Sequence, residues 1–166
     1  VTGDIGCYTL GTLPPLQALH TCLCMGAGIG MAHGINAACG EKQKAVAVIG
    51  DSTFMHSGIT GLLNIAYNQS PTVVMILDNS ITAMTGGQNH PGTGVKMCGQ
   101  PGGKVDLEAL CRATGIPNVR RFDARNLAET EEVIRTAVES DEPWVIIATH
   151  PCVLITRERG DVRKIN

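Results

Sequence analysis

Two short apolar runs, each ending on an acidic residue, constrain the fold of this chain more than any other feature. Val46-Ala47-Val48-Ile49-Gly50 leads into Asp51, and Thr72-Val73-Val74-Met75-Ile76-Leu77 leads into Asp78-Asn79. Both are β-branched and nearly continuous, the pattern of strands buried on both faces of a parallel sheet. Between them Ile59, Leu62, Leu63, Ile65, Ala66 and Tyr67 fall at helical spacing, which predicts a helix from Ser57 to Asn68 with Ser57 capping its first turn. The product is a β-α-β unit. Its strands end, on the carboxyl side, at the edge of an open α/β sheet where ligands bind.

The same alternation extends in both directions. A short strand over Gly3 to Cys7, a loop over Gly11 to Pro15 and a weak strand within Leu19 to Met25 precede a small-residue stretch, Gly26 to Ala38. That stretch is read as a helix pressed against the sheet, because small residues permit close approach even where glycine disfavours helix. Gly28-x-Gly30-x-x-x-Gly34 lacks the preceding strand and tight turn that a dinucleotide fingerprint needs. Further on come a short helix capped by Asp106, a strand near Asn118 to Phe122, a helix over Leu127 to Val138 and a strand over Trp144 to Ala148. The expected fold is α/β, a doubly wound and mostly parallel sheet with helices on both faces.

Ser80 to Lys104 stands apart, with seven glycines, two prolines and little apolar periodicity. Stretches of that length without secondary structure are usually functional, mobile or both, so a lid that orders with ligand is expected there.

Composition sets the boundaries of the functional reading. At 166 residues the chain suits one domain, expected over residues 1–156, with 157–166 as a linker or boundary and the whole as a piece of a larger multidomain polypeptide. With 13 Lys plus Arg against 15 Asp plus Glu, the net charge of −2 offers no footprint for nucleic acid or a membrane surface. No apolar run is long enough for a span and no signal-peptide pattern opens the chain, so a cytoplasmic location is expected. Seven cysteines, odd in number and without a Cys-x-x-Cys, argue for a reducing compartment and against an iron–sulfur cluster bound within these residues.

Taken singly, Gly50-Asp51-Ser52 reads as a tight turn and Asp78-Asn79 as an Asx turn. Together, each at the end of a strand, they read as a site. Mg²⁺ prefers oxygen ligands and takes few from protein when phosphate oxygens complete its shell. A carboxylate, a carboxamide and a backbone carbonyl suit such an ion against a diphosphate. Gly50 lets backbone approach the phosphate, and Ser52 with the next helix's amides can donate to it.

This pair resembles the thiamine diphosphate motif, a Gly-Asp-Gly followed further on by Asn-Asn. Asp4-Ile5-Gly6-Cys7, Leu23-Cys24-Met25-Gly26, Gly50-Asp51-Ser52-Thr53-Phe54 and Asp78-Asn79-Ser80-Ile81-Thr82-Ala83-Met84-Thr85-Gly86-Gly87-Gln88, in that order, are similar to the cofactor-binding domain of the 2-oxoacid:ferredoxin oxidoreductases. The likeness covers nearly the whole chain and is closest to the large subunit of the branch acting on indolepyruvate. Ser52 stands where the family usually has its third Gly, and Asp78 where it has the first Asn.

The resemblance implies Mg²⁺ held by Asp51, Asn79 and the Ile81 carbonyl, with Ile5, Gly6, Cys7, Leu23, Cys24, Met25, Gly50, Ser52, Thr82 and Met84 around the cofactor. In it a bulky side chain at Met25 holds the cofactor bent and the Leu23 carbonyl receives its aminopyrimidine. His56, near the helix start, is the candidate catalytic residue, and His20 is a second histidine near the cofactor region. The glutamate that activates thiamine in such enzymes has no convincing counterpart here, since Glu41 follows Gly40 in a loop and the remaining glutamates lie in C-terminal helices. The implied enzyme decarboxylates an arylpyruvate such as indolepyruvate, passes electrons through iron–sulfur clusters elsewhere to ferredoxin, and yields an aryl-acetyl-coenzyme A. A pyrimidine-binding domain and a second subunit complete it. A non-oxidative thiamine enzyme, of the decarboxylase or acetolactate-synthase kind, and a non-catalytic phosphate-binding module remain as alternatives.

Overall fold

The computed structural model describes residues 1–40 and 44–156; the expected linker at 157–166 and the loop residue Glu41 lie outside them. Six strands form one sheet, β1 (Thr2–Gly3), β2 (Thr21–Cys22), β3 (Val46–Gly50), β4 (Val73–Asp78), β5 (Asn118–Asp123) and β6 (Trp144–Thr149). Their spatial order is β2-β1-β3-β4-β6-β5, and each neighbouring pair is parallel. The helices are α1 (Ala27–Cys39), α2 (Asp51–Thr53), α3 (Ile59–Asn68), α4 (Leu107–Ala113), α5 (Leu127–Glu139) and α6 (Val153–Thr156). A 3₁₀ helix, Cys7–Thr12, occupies part of the expected Gly11 to Pro15 loop. Among the described residues, no helix is long and apolar enough to cross a membrane.

Strand alternation sorts the core into two layers, because successive side chains leave opposite faces of the sheet. Ala47, Ile49, Val74, Ile76, Val145 and Ile147 pack with Ile29 and Ala32 of α1, Leu62 and Ile65 of α3, and Leu107 and Cys111 of α4. Val73, Phe122, Ile146 and Ala148 pack on the other face against Val133 and Ala137 of α5. Helices therefore cover both faces, as expected. Asp106 caps α4 as read from the sequence, its Oδ1 accepting from the amides of Glu108 and Ala109.

One expectation needs correction. The helix between β3 and β4 does not begin at a Ser57 cap. It starts at Asp51, directly off β3, and passes through a π-helical turn, Phe54–Gly58, before α3 continues to Asn68. Phe54 is fully buried in this turn, so its first residues are held by packing that the apolar spacing from Ile59 onward does not reveal. Ser57 instead reaches from the helix toward two carbonyls, Thr53 O and Met25 O, each at 3.3 Å.

The strand order locates the site. The chain leaves β1 toward β2 and leaves β3 toward β4, so connections diverge between the carboxyl ends of β1 and β3. Such a switch point opens a crevice where no helix crosses. It lies between Ile5-Gly6-Cys7 and Gly50-Asp51-Ser52.

Candidate functional site

A cleft of about 350 Å³ occupies that crevice. Ile5, Gly6, Cys7 and Tyr8 line it after β1, Gly50 to Thr53 after β3, and Asn79 and Ile81 to Thr85 after β4, with Met25 reaching in from before α1. Residues far apart in sequence meet at one sheet edge because the strands are parallel and in register, Gly50 pairing with Leu77.

Asp51 is 3% exposed. Its Oδ1 accepts from Ser52 N at 2.8 Å and its Oδ2 from Ser80 N at 2.9 Å, so one carboxylate clamps the first helical turn to the loop leaving β4. Asn79 Oδ1 accepts from Ile81 N at 3.2 Å, an Asx turn that directs the chain along the cleft. The hydroxyls of Ser52 and Thr82 meet at 2.6 Å and join the two loops. Ser52 sits in α2, where a side chain is accommodated without the left-handed conformation that would call for glycine.

Among the described residues lining the cleft, Asp51 is the one carboxylate and there is no lysine or arginine. A diphosphate entering would face this carboxylate without a protein cation to balance it. A divalent metal resolves that conflict, and the oxygen donors of Asp51, Asn79 and Ile81 are the chemistry Mg²⁺ selects. The site therefore fits a metal-bridged diphosphate. The mouth is apolar, with Ile5, Met25 and Met84 between 45% and 50% exposed, a surface suited to aromatic rings.

Of the sequence candidates, Ile5, Gly6, Cys7, Met25, Gly50, Asp51, Ser52, Asn79, Ile81, Thr82 and Met84 meet at the cleft. Leu23 and Cys24 are exposed just before Met25 and do not line it. His56 is exposed on the π turn and lines neither this cleft nor the cavity behind it. His20 is exposed and contacts the Val1 amine.

Tyr8 and Arg121 went unread in the sequence. Tyr8 lines the cleft and its hydroxyl accepts from Asp4 N at 3.2 Å; in a chain with only two tyrosines and two phenylalanines its position beside Cys7 was the available signal. Arg121 of β5 reaches across β6 to Asp78 Oδ2 at 2.6 Å, touching Thr149 Oγ1 at 3.1 Å on the way. Asp78 thus faces a second cavity of about 310 Å³, lined also by Met55, Ser80, His90 and Lys104, rather than the cofactor cleft. Burial first, then the neighbouring Asp51, raises the Asp78 carboxyl above its ordinary range, partly offset by Arg121.

Asp4 sets the position of Met25. It is fully buried, and its Oδ2 accepts from Gly26 N at 2.5 Å while Oδ1 has no partner among the described residues. Gly26 itself holds φ +92°, and a Cβ there would collide with Ser57 Oγ, so glycine is required where the chain turns from Met25 into α1. Burial raises the Asp4 carboxyl above its ordinary value of 3.8, with the Gly26 amide opposing. Between that value and the raised one the native state holds more protons than the unfolded chain, so stability falls as pH rises through this window. Asp4→Asn, which keeps an acceptor for Gly26 without the buried charge, is expected to gain on wild type in melting temperature from pH 4 to pH 7. Parallel curves over that range would contradict the assignment.

Residues 4–148 match the family model of the thiamine pyrophosphate enzyme, C-terminal TPP binding domain. The chain is 43% identical over 152 residues to indolepyruvate oxidoreductase subunit IorA of Archaeoglobus fulgidus, covering 92% of this chain and 24% of that protein. It is 43% identical over 163 residues to the same subunit of Pyrococcus horikoshii, covering 91% and 25%. It therefore spans about a quarter of the length of these curated relatives. Among solved structures, 2-oxoglutarate:ferredoxin oxidoreductase from Magnetococcus marinus, with 2-oxoglutarate, coenzyme A and succinyl-CoA bound, superposes with a TM-score of 0.76 at 20% identity, over 91% of this chain and 53% of that one. A putative thiamin diphosphate-dependent enzyme from Mycobacterium smegmatis gives 0.60 at 23% identity, over 88% and 28%. Both share the fold.

Proposed function

The chain belongs to the thiamine pyrophosphate enzymes through their C-terminal TPP binding domain, and from that premise we propose that it is the diphosphate-holding part of a cytoplasmic oxidoreductase acting on arylpyruvates. The reaction is indolepyruvate plus coenzyme A and two oxidised ferredoxins to indoleacetyl-coenzyme A, carbon dioxide, two reduced ferredoxins and a proton. Thiamine diphosphate, when bound, supplies the carbanion that makes decarboxylation possible. The residues of this chain position it. Asp51, Asn79 and the Ile81 carbonyl hold Mg²⁺ against the diphosphate; Gly50 and Ser52 offer close backbone and a hydroxyl; Met25, fixed by Asp4, Gly26 and Ser57, supports the rings.

The observation that carries this reading is the lone carboxylate in a cleft whose described lining has no lysine or arginine, at the switch point of a parallel sheet. The 43% identity to indolepyruvate oxidoreductase subunits supports the substrate class. A pyrimidine-binding domain, a second subunit and iron–sulfur clusters belong to the same proposal.

The test is turnover. Given thiamine diphosphate, Mg²⁺ and indolepyruvate, the intact protein with its companion subunit is expected to reduce ferredoxin or a viologen dye, and only when coenzyme A is present. The 166-residue stretch alone is expected to do neither, because no glutamate lines its described cleft to activate the cofactor. Release of indoleacetaldehyde without any electron acceptor would instead identify a non-oxidative thiamine enzyme, and failure to bind thiamine diphosphate would leave a phosphate-binding module.

A further inference from the structure

On the reading that Asp51 holds the metal, we propose that His90 is a positioning residue for Asp51, fixing which carboxylate oxygen remains to bind the cation. His90 belongs to neither strand-end motif. It comes from the glycine-rich stretch after Asn79 and approaches Asp51 from the second cavity, not from the cofactor cleft.

The His90 side chain is 6% exposed, and its Nε2 lies 3.2 Å from Asp51 Oδ2. That contact is close but not aligned as a hydrogen bond, and Nε2 has no other partner among the described residues. Its other ring nitrogen, Nδ1, accepts from Gly92 N at 3.2 Å. An accepting Nδ1 assigns the ring proton to Nε2, so the ring presents a donor to Asp51. Oδ2 already accepts from Ser80 N, whereas Oδ1 takes only Ser52 N. With Ser80 N bonded to Oδ2 and the Nε2 proton set against the same oxygen, Oδ1 is the oxygen with more capacity left for a cation. A nitrogen carrying its proton is no metal ligand, and Mg²⁺ prefers oxygen, so His90 acts through Asp51.

The backbone holds the ring in place. His90 O accepts from both the amide and the hydroxyl of Thr93 at 2.9 Å, and Pro91 O accepts from Val105 N at 2.9 Å. A Cβ on Gly92 would stand 3.0 Å from the ring's Cε1, closer than side chains ordinarily pack. The stretch from Ser80 to Lys104 therefore meets Asp51 twice, through the Ser80 amide at its root and through the His90 imidazole further along. Partners of this kind behind a ligand typically set metal affinity by roughly 10–100-fold.

Calorimetric titration of the intact protein with thiamine diphosphate at fixed Mg²⁺, and with Mg²⁺ at fixed thiamine diphosphate, tests this. His90→Ala is expected to weaken both by roughly 10–100-fold. His90→Gln, whose amide N–H extends to the place of Nε2, is expected to recover most of the loss. His90→Asn, whose oxygen keeps the Gly92 contact but whose side chain stops short of Asp51, is not. With Mn²⁺ replacing Mg²⁺, pulsed electron paramagnetic resonance is expected to show no nitrogen from His90 bound to the metal. Wild-type affinity in the Ala and Asn variants, rescue by Asn rather than Gln, or a manganese-bound nitrogen lost in His90→Ala would each overturn the proposal. A wild-type protein that binds no thiamine diphosphate with Mg²⁺ would overturn the reading of the site, and this inference with it.

Discussion

Asp51→Asn is expected to abolish Mg²⁺-dependent binding of thiamine diphosphate, with affinity falling roughly 100-fold or more, beyond what loss of a partner behind a ligand costs. The reason lies in the charge balance of the cleft. The diphosphate meets a single carboxylate and, among the described lining residues, no lysine or arginine. Metal neutralises both, and without it the two anions repel at close range. Asparagine preserves the shape and an acceptor oxygen but removes the charge that attracts the ion.

Chelation is the matched control. Wild type stripped of Mg²⁺ should bind as weakly as Asp51→Asn, and adding Mg²⁺ to the variant should restore little. Asp51→Ala should match it in binding and lose stability as well, because the amides of Ser52 and Ser80 both donate to this carboxylate. Calorimetry with and without Mg²⁺ reads the first effect and thermal melting the second. Unchanged affinity in Asp51→Asn would remove the metal from the site.

Much of this arrangement was legible in the sequence because it is written in local patterns. The runs before Asp51 and Asp78-Asn79 are β-branched and continuous, and they became adjacent parallel strands whose carboxyl ends present Asp51 and Asn79 to one cleft. Asp106, immediately before the short apolar group Leu107, Leu110 and Cys111, capped α4 as such residues do. What escaped depends on contacts between residues distant in sequence. Arg121 meets Asp78 only because β5 lies one strand beyond β6, and no local pattern announces that pairing. His90 had no distinguishing neighbours, and its meaning arises only where the loop folds back on Asp51. The helix start at Asp51 was hidden differently: Ser52 and Thr53 are indifferent helix formers and Gly58 a poor one, so tertiary burial of Phe54, not propensity, carries the chain through the π turn.

Phe54 is accordingly where the largest loss of stability is expected. It is fully buried between the sheet and α1, in contact range of Ile49 and Ile29 through Gly58, and Phe54→Ala should cost about 3–5 kcal/mol. Against the roughly 5–15 kcal/mol of net stability typical of a domain, that is a large share. The partner residue sharpens the prediction. A Cβ at Gly58 would stand 2.8 Å from Phe54 Cδ2 and 3.0 Å from Ile49 Cδ1, so Gly58→Ala alone overpacks and is expected to destabilise by about 1–3 kcal/mol. The Gly58 backbone, at φ −83° and ψ −24°, is ordinary helix that alanine accepts. Once Phe54 has been cut back to alanine, the tightest contact is gone and the Ile49 Cδ1 methyl, the far end of a flexible side chain, can turn into the vacated space to admit the new one. In that background Gly58→Ala should therefore change sign and stabilise by about 1 kcal/mol, the usual advantage of alanine over glycine within a helix. Urea denaturation of the four proteins in this cycle measures the coupling directly. Additive effects would mean that Phe54 does not rest on Gly58, and that the π turn is held in place by something other than their contact.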